Sequence, residues 1–175
     1  MLHLETIAHL YRCLPGENFP DHTGFQHWIV RQYLDLPVRV EFVSYDPYPG
    51  MEAMRVDTQA TGVLKISALH NRSILDPHVN LMFRAVHDYD HLRYGYGFHA
   101  NGERMACRAI LSRCSDNDAH ALLFSEIVAQ AYAAQTFGTF EPQKFVRIHS
   151  SIRDAVLLNP TSFQFHSRKT TGGHT

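Results

Sequence analysis

The sequence predicts an α+β fold in which helices predominate and a small, mainly antiparallel sheet packs against them. Three observations lead to this prediction. Apolar residues recur at helical spacing over 2–14 and 25–36. Over 38–43 the period changes to two, which is typical of a half-buried strand. From residue 76 almost to the end of the chain the pattern is helical again.

Turn-forming residues give the bounds of the amino-terminal elements. The first helix is predicted to end at Pro15-Gly16 and the second before Pro37, because proline restricts the residue ahead of it. The stretches "MEAMRVD" (51–57) and "TGVLKISAL" (61–69) predict two more strands. With the strand at 38–43 they would form an antiparallel meander.

A long helix is predicted to begin after Asp76 and Pro77. Aspartate is a favoured N-cap residue, and proline suits the first helical position because its missing N–H would have no partner there. Gly95 and Gly97 predict the end of this helix near Tyr94.

The remainder of the chain predicts a helical carboxyl-terminal half. Three further helices are expected at 102–114, 119–137 and 142–157, the second of them closed by Gly138. No linker or repeat interrupts the pattern, which predicts a single domain over 1–165 and a flexible tail over 166–175.

Composition limits the class of protein. The chain has 175 residues, 45% of them hydrophobic, enough for one domain with a substantial core. Sixteen basic and seventeen acidic residues nearly cancel, so charge gives no signature of nucleic acid or a membrane surface. The apolar runs are short, and Cys13, Cys107 and Cys114 lack CxxC spacing. We expect a soluble, cytoplasmic protein with reduced thiols, and the sequence leaves its oligomeric state open.

One cluster of polar residues predicts a metal site. Among thirteen histidines, His87 and His91 in "AVHDYDHLRYGYG" (85–97) are four apart, which places both on one helix face within reach of a single ion. Asp88 follows the first and could face a water at the ion. Catalytic zinc takes three protein ligands, and Glu126 on the later helix is the expected third. Glu103 is a reserve ligand, although its place in a first helical turn is equally explained by the helix dipole.

At these residues the sequence resembles the zincin metallopeptidases. "HDYDH" resembles the HExxH helix of that family, and "SEIVAQAY" is similar to the stretch from which its gluzincin branch draws a glutamate ligand. The resemblance implies a zincin-like domain that binds Zn²⁺ or another divalent metal through His87, His91 and Glu126. It further implies Asp88 as the general base, and a peptide or protein substrate that pairs with the strand 62–69.

The sequence departs from that family at one position. Asp88 stands where the family has glutamate, and its side chain is shorter by one methylene. A general base must come within hydrogen-bond reach of the water that it deprotonates. Metal binding is therefore predicted more firmly than peptidase activity, and a non-catalytic, zincin-like binding protein stays open.

Two other metal proteins share parts of the pattern. The His-Asp pair also resembles the HD-type phosphohydrolases, in which Asp88 would be a ligand, with His70 or His78 upstream and Asp116 or Asp118 downstream. Those domains are helical throughout, and the strand-like stretch before the histidines disfavours them here.

The third comparison is a ferritin-like di-iron site, since Asp88-x-x-His91 is similar to Glu-x-x-His. Such a site needs a second motif, and Ala129 stands three residues after Glu126, where a histidine would be required.

Overall fold

The computed structural model describes residues 4–18, 23–71 and 74–158, and the predicted tail at 166–175 lies outside them. None of the helices in these ranges is long and apolar enough to cross a membrane. The elements are α1 (Leu4–Cys13), α2 (Thr23–Leu34), β1 (Arg39–Val43), α3 (Met51–Thr61), β2 (Val63–Ser67), α4 (Pro77–Tyr94), α5 (Ala100–Leu111), α6 (Asn117–Leu123), a π-helical segment (Phe124–Ala129), α7 (Gln130–Phe137) and α8 (Ser150–Leu158).

The sheet corrects one prediction. The α+β class is confirmed, but β1 and β2 form a parallel pair, in register from Arg39 opposite Val63 to Val43 opposite Ser67. The antiparallel meander was wrong because 51–57 begins a helix, not a strand. A helix between two neighbouring strands carries the chain back to the same end of the sheet, so the strands run parallel.

Helix α3 forms there because its buried residues follow helical spacing. Met54 and Thr58 are four apart and both are buried, and Met51 lies one turn earlier against the same small core. That core also contains Leu64 of β2 and Ala85 of α4. It therefore holds the sheet against the helix that carries the two histidines.

The bounds predicted for α4 are confirmed. The Asp76 side chain accepts hydrogen bonds from two backbone N–H groups of the first turn, and Pro77 is the first helical residue. At the other end Gly95 has a φ of 69° and its N–H donates to the carbonyl of His91. This left-handed conformation favours glycine and ends the helix.

The carboxyl-terminal half differs from prediction at its end. The helix predicted at 142–157 begins eight residues later, as α8 (Ser150–Leu158), and residues 140–149 before it have no regular secondary structure. Phe145, Val146 and Ile148 of this irregular stretch are buried in the main core. Their burial anchors the stretch to the helices.

An ion pair joins α4 to the residues that follow α5. Arg113 Nη2 lies 2.7 Å from Asp90 Oδ2, and its Nη1 donates to Asp90 Oδ1 at 3.1 Å. Asp90 is 2% exposed and stands immediately before His91. A buried carboxylate needs such a partner, because burial removes the water that would otherwise stabilise its charge.

We expect the Arg113→Met variant to lose roughly 3 kcal/mol of unfolding free energy, since it leaves the buried Asp90 charge without its partner. Urea denaturation measures this loss. Arg55→Met is the matched control, because Arg55 pairs with Glu52 on the exposed face of α3 and its loss should leave the midpoint unchanged. Equal midpoints for the two variants would contradict a stabilising role for the buried pair.

Candidate metal site

Three potential ligand atoms converge between α4 and α5. His87 Nε2 lies 3.2 Å from His91 Nε2 and 3.0 Å from Glu103 Oε2, and His91 Nε2 lies 3.4 Å from the same carboxylate oxygen. Bonds of 2.0 to 2.1 Å to a tetrahedral zinc ion place ligand atoms about 3.3 Å apart. In the described part of the chain, this is the one group of three or more His, Cys, Asp or Glu side chains with the spacing of a metal site.

The two histidines are brought together by helix geometry, and Glu103 by a short turn. Residues four apart on α4 project from the same face. Only 95–99 separate α4 from α5, so the first turn of α5 returns beside the last turns of α4. Glu103 stands in that first turn.

Close packing within the turn positions Glu103. A Cβ built on Gly102 would lie 1.7 Å from the carbonyl oxygen of Gly97, so no side chain fits between the turn and α5. The His99 side chain caps α5 by accepting a hydrogen bond from the Gly102 N–H at 3.2 Å. Together these contacts place the start of α5 against the end of α4.

A backbone carbonyl orients His91. Its Nδ1 lies 2.9 Å from the carbonyl oxygen of Tyr96, which can only accept a hydrogen bond, so Nδ1 carries the proton. In the neutral ring, Nε2 then directs its lone pair at the cluster. Histidines that bind a metal through one ring nitrogen typically donate the other N–H to a carbonyl in this way. The ring is fully buried, with Phe98 packed against it at a centroid distance of 5.0 Å.

His87 and Glu103 form the side of the cluster that solvent reaches. Their side chains are 16% and 14% exposed. The His87 ring stacks near Phe83, and its Nδ1 is buried without a hydrogen-bond partner among the described residues. Its Nε2 is aimed at Glu103.

The pKa values of Glu103 and His87 are shifted more by their mutual hydrogen bond and charge than by burial. Burial disfavours the charge on Glu103, but hydrogen bonds and charge from His87 and His91 outweigh it and lower the Glu103 pKa to about 2. Burial likewise opposes a charged His87, and the Glu103 carboxylate outweighs it and raises the His87 pKa. Hydrogen bonds and charge therefore hold Glu103 against the two histidines, although burial opposes the charged forms.

Asp88 lies beside this cluster and outside its three ligand atoms. Its side chain is half-buried, and burial raises its pKa despite the opposing charges of the two histidines and of Arg84. Arg84, one turn earlier on α4, donates a hydrogen bond to the carbonyl of Leu69 at 2.8 Å. Asp88 is therefore not one of the three converging ligands.

Glu126 lies outside the cluster. It belongs to the π-helical segment, is 7% exposed, and is not among the residues whose ligand atoms converge. Its Oε1 has no hydrogen-bond partner among the described residues, and its charge acts on Tyr11 of α1. Burial raises the Glu126 pKa to about 8. The carboxylate that the geometry adds to the two histidines is that of Glu103.

The raised pKa of Glu126 predicts a pH-dependent stability. The folded protein holds this proton up to about pH 8 and the unfolded chain releases it near 4.5, so the stability that the proton provides is complete below 4.5. It is lost as the pH rises from 4.5 through 8, by up to about 5 kcal/mol. We expect Glu126→Gln to remove this part of the pH dependence.

Urea denaturation of both proteins across this pH range measures the difference. Glu5→Gln on the exposed face of α1 is the control and should keep the wild-type slope. A Glu126→Gln slope identical to wild type would show that Glu126 ionises normally in the folded protein.

The residues of the phosphohydrolase pattern do not join the cluster. The His78 side chain is 87% exposed and lies beside Asp76, whereas Asp116 caps α6. Asp118 is 70% exposed and lies 4.0 Å from Arg147, and His70 is exposed in the loop after β2.

A signal for Glu103 was present in the sequence. The glycines at 95 and 97 end one helix, and the predicted restart at 102 leaves room only for a tight turn. Two helices joined by so short a link must place their adjoining turns side by side. An acidic residue in the first turn of the second helix therefore lies near the last turn of the first, where His91 stands.

Comparison with known proteins gives no relative for this chain. No family model, curated protein or solved structure matches it.

Proposed function

We propose that this protein is a metal-dependent hydrolase of the zincin type, in which His87, His91 and Glu103 bind a divalent metal. One observation carries the proposal: three ligand atoms lie 3.0 to 3.4 Å apart, close to the edge lengths of a tetrahedral site. The hydrogen bond from His91 Nδ1 to the Tyr96 carbonyl supports it.

The donor set favours zinc. Two imidazoles and one carboxylate form a common catalytic zinc set, and they leave a fourth position for water or substrate. Cys107 stands one turn after Glu103, but it is not among the side chains whose ligand atoms converge. Bound zinc lowers the pKa of its water to roughly 7 and so supplies a nucleophile at neutral pH.

Asp88 is the proposed general base. It is next to His87 on α4, half-buried, and makes no side-chain hydrogen bond with the described residues, which leaves its oxygens available to a water. The charge of Arg84, one turn away, partly offsets the burial that raises the Asp88 pKa. The substrate proposed from the family resemblance is a peptide or protein.

The outer edge of β2 does not enter the mechanism. Two of its outward N–H groups already have side-chain acceptors: that of Val63 donates to Thr61 Oγ1, and that of Lys65 donates to Tyr48 Oη. A peptide could pair there only by displacing them. We therefore assign substrate binding to the solvent-exposed side of His87 and Glu103.

The test compares Asp88→Asn with wild type on fluorogenic peptides and phosphodiesters, each with and without added zinc. We expect zinc-dependent peptide hydrolysis by wild type, and at least about a hundredfold lower kcat in the variant at unchanged zinc content. Asp154→Asn, an exposed change on α8, is the control and should keep wild-type kcat.

Two outcomes would contradict the proposed hydrolase function. Loss of zinc from Asp88→Asn, together with phosphodiester hydrolysis by wild type, would favour the phosphohydrolase assignment, in which this aspartate is a ligand. Zinc binding without hydrolysis of either substrate class would leave a metal-binding protein with no catalytic role.

A further inference from the structure

Strand β1 has an open edge. Within the described residues it pairs with β2 alone. The Ala68 N–H donates to the Val43 carbonyl at 2.7 Å, so the backbone of Val43 faces β2. Because successive residues of a strand direct their backbone groups to opposite sides, those of Val40 and Phe42 face away from the sheet.

The two edges of this sheet differ in whether side chains bind their outward backbone groups. The outward N–H groups of β2 at Val63 and Lys65 are bound by a threonine hydroxyl and a tyrosine hydroxyl. No described side chain binds the outward groups of Val40 and Phe42. Phe42 is also 39% exposed. An uncovered edge with exposed apolar surface is a template for another strand.

We propose that β1 pairs with β1 of a second copy of this chain, in antiparallel orientation about a two-fold axis at Val40. The outward backbone groups of Val40 then bind their counterparts in the copy. Phe42 then lies beside Val38, the residue before β1 in the copy, and this contact covers the exposed phenylalanine. The result is a continuous four-stranded sheet across the two protomers.

Charge complementarity selects this register. Arg39 and Glu41 are both exposed and lie on either side of Val40. An axis at Val40 places each arginine opposite the glutamate of the other copy, and opposite charges directly across an antiparallel pair are stabilising. An axis at Glu41 keeps the same backbone pattern but sets the two glutamates against each other, which is destabilising.

Sedimentation equilibrium of the full chain and two single variants tests the pairing. Wild type should self-associate to a dimer at sub-millimolar concentration. Arg39→Glu and Glu41→Arg each place like charges at both ends of the paired strands, and each alone should weaken dimerisation by about tenfold. Arg55→Glu, on the exposed face of α3, is the control and should dimerise as wild type.

Mixing the two variants gives the discriminating result. A chain with glutamate at both positions and a chain with arginine at both are complementary in this register, so the mixture should form a heterodimer at least as tight as the wild-type dimer. A misfolded variant would not be rescued in this way. A wild type that stays monomeric throughout, or variants that do not recover on mixing, would overturn the proposal.

Discussion

Replacing Glu103 with glutamine is expected to weaken zinc binding by about a hundredfold or more. Loss of a group that hydrogen-bonds to a metal ligand costs about 10- to 100-fold in affinity, and loss of a direct ligand should cost at least the upper end of that range. The Glu103 oxygen lies 3.0 and 3.4 Å from the two imidazole nitrogens, so its charge is the one that completes the site. Competition with a chromophoric chelator measures the affinity.

Glu126→Gln is the matched control. It makes the same chemical change at the glutamate that the sequence favoured, and it should leave the zinc affinity of the wild type intact. The opposite pattern, in which Glu126→Gln loses zinc and Glu103→Gln keeps it, would contradict the site proposed here and return the third ligand to Glu126.

The Gly102→Ala variant is expected to lose both stability and metal binding. Its Cβ would lie 1.7 Å from the Gly97 carbonyl oxygen, a backbone atom that cannot rotate away. The turn and α5 must separate, at a cost of about 3 kcal/mol or more. Since Glu103 follows immediately, its carboxylate moves away from the histidines.

Thermal unfolding and zinc titration measure the two effects. Gly24→Ala is the control, because a Cβ at this position of α2 meets nothing within 4 Å. Alanine there should leave stability unchanged or raise it by up to about 1 kcal/mol. If the two variants had the same stability and affinity, the packing at Gly102 could not be what positions Glu103.

The elements predicted correctly from sequence are those with local signals. Helix α4 is marked at both ends, by Asp76 with Pro77 and by Gly95, and both ends form as predicted. Helix α3 was mistaken for a strand because "MEAMRVD" is short and its apolar residues fit either period. That error reversed the sheet, since the direction of β2 relative to β1 depends on what connects them.

Two of the candidate ligands were predictable from local sequence, and the third was not. His87 and His91 are predictable because their proximity follows from a spacing of four within one helix. The third ligand depends on how α5 returns after the turn, which the Gly97 to Gly102 contact decides. The sequence favours Glu126 because it is an isolated acidic residue in an apolar helix. In the structure it is buried outside the cluster, and burial raises its pKa.

Anomalous scattering at the zinc edge, measured on crystals of the full chain grown with zinc, locates the bound metal. We expect one strong peak about 2.0 to 2.1 Å from His87 Nε2, His91 Nε2 and a Glu103 carboxylate oxygen. A peak bound by Glu126, or no peak at the histidines at full zinc saturation, would contradict the proposed site.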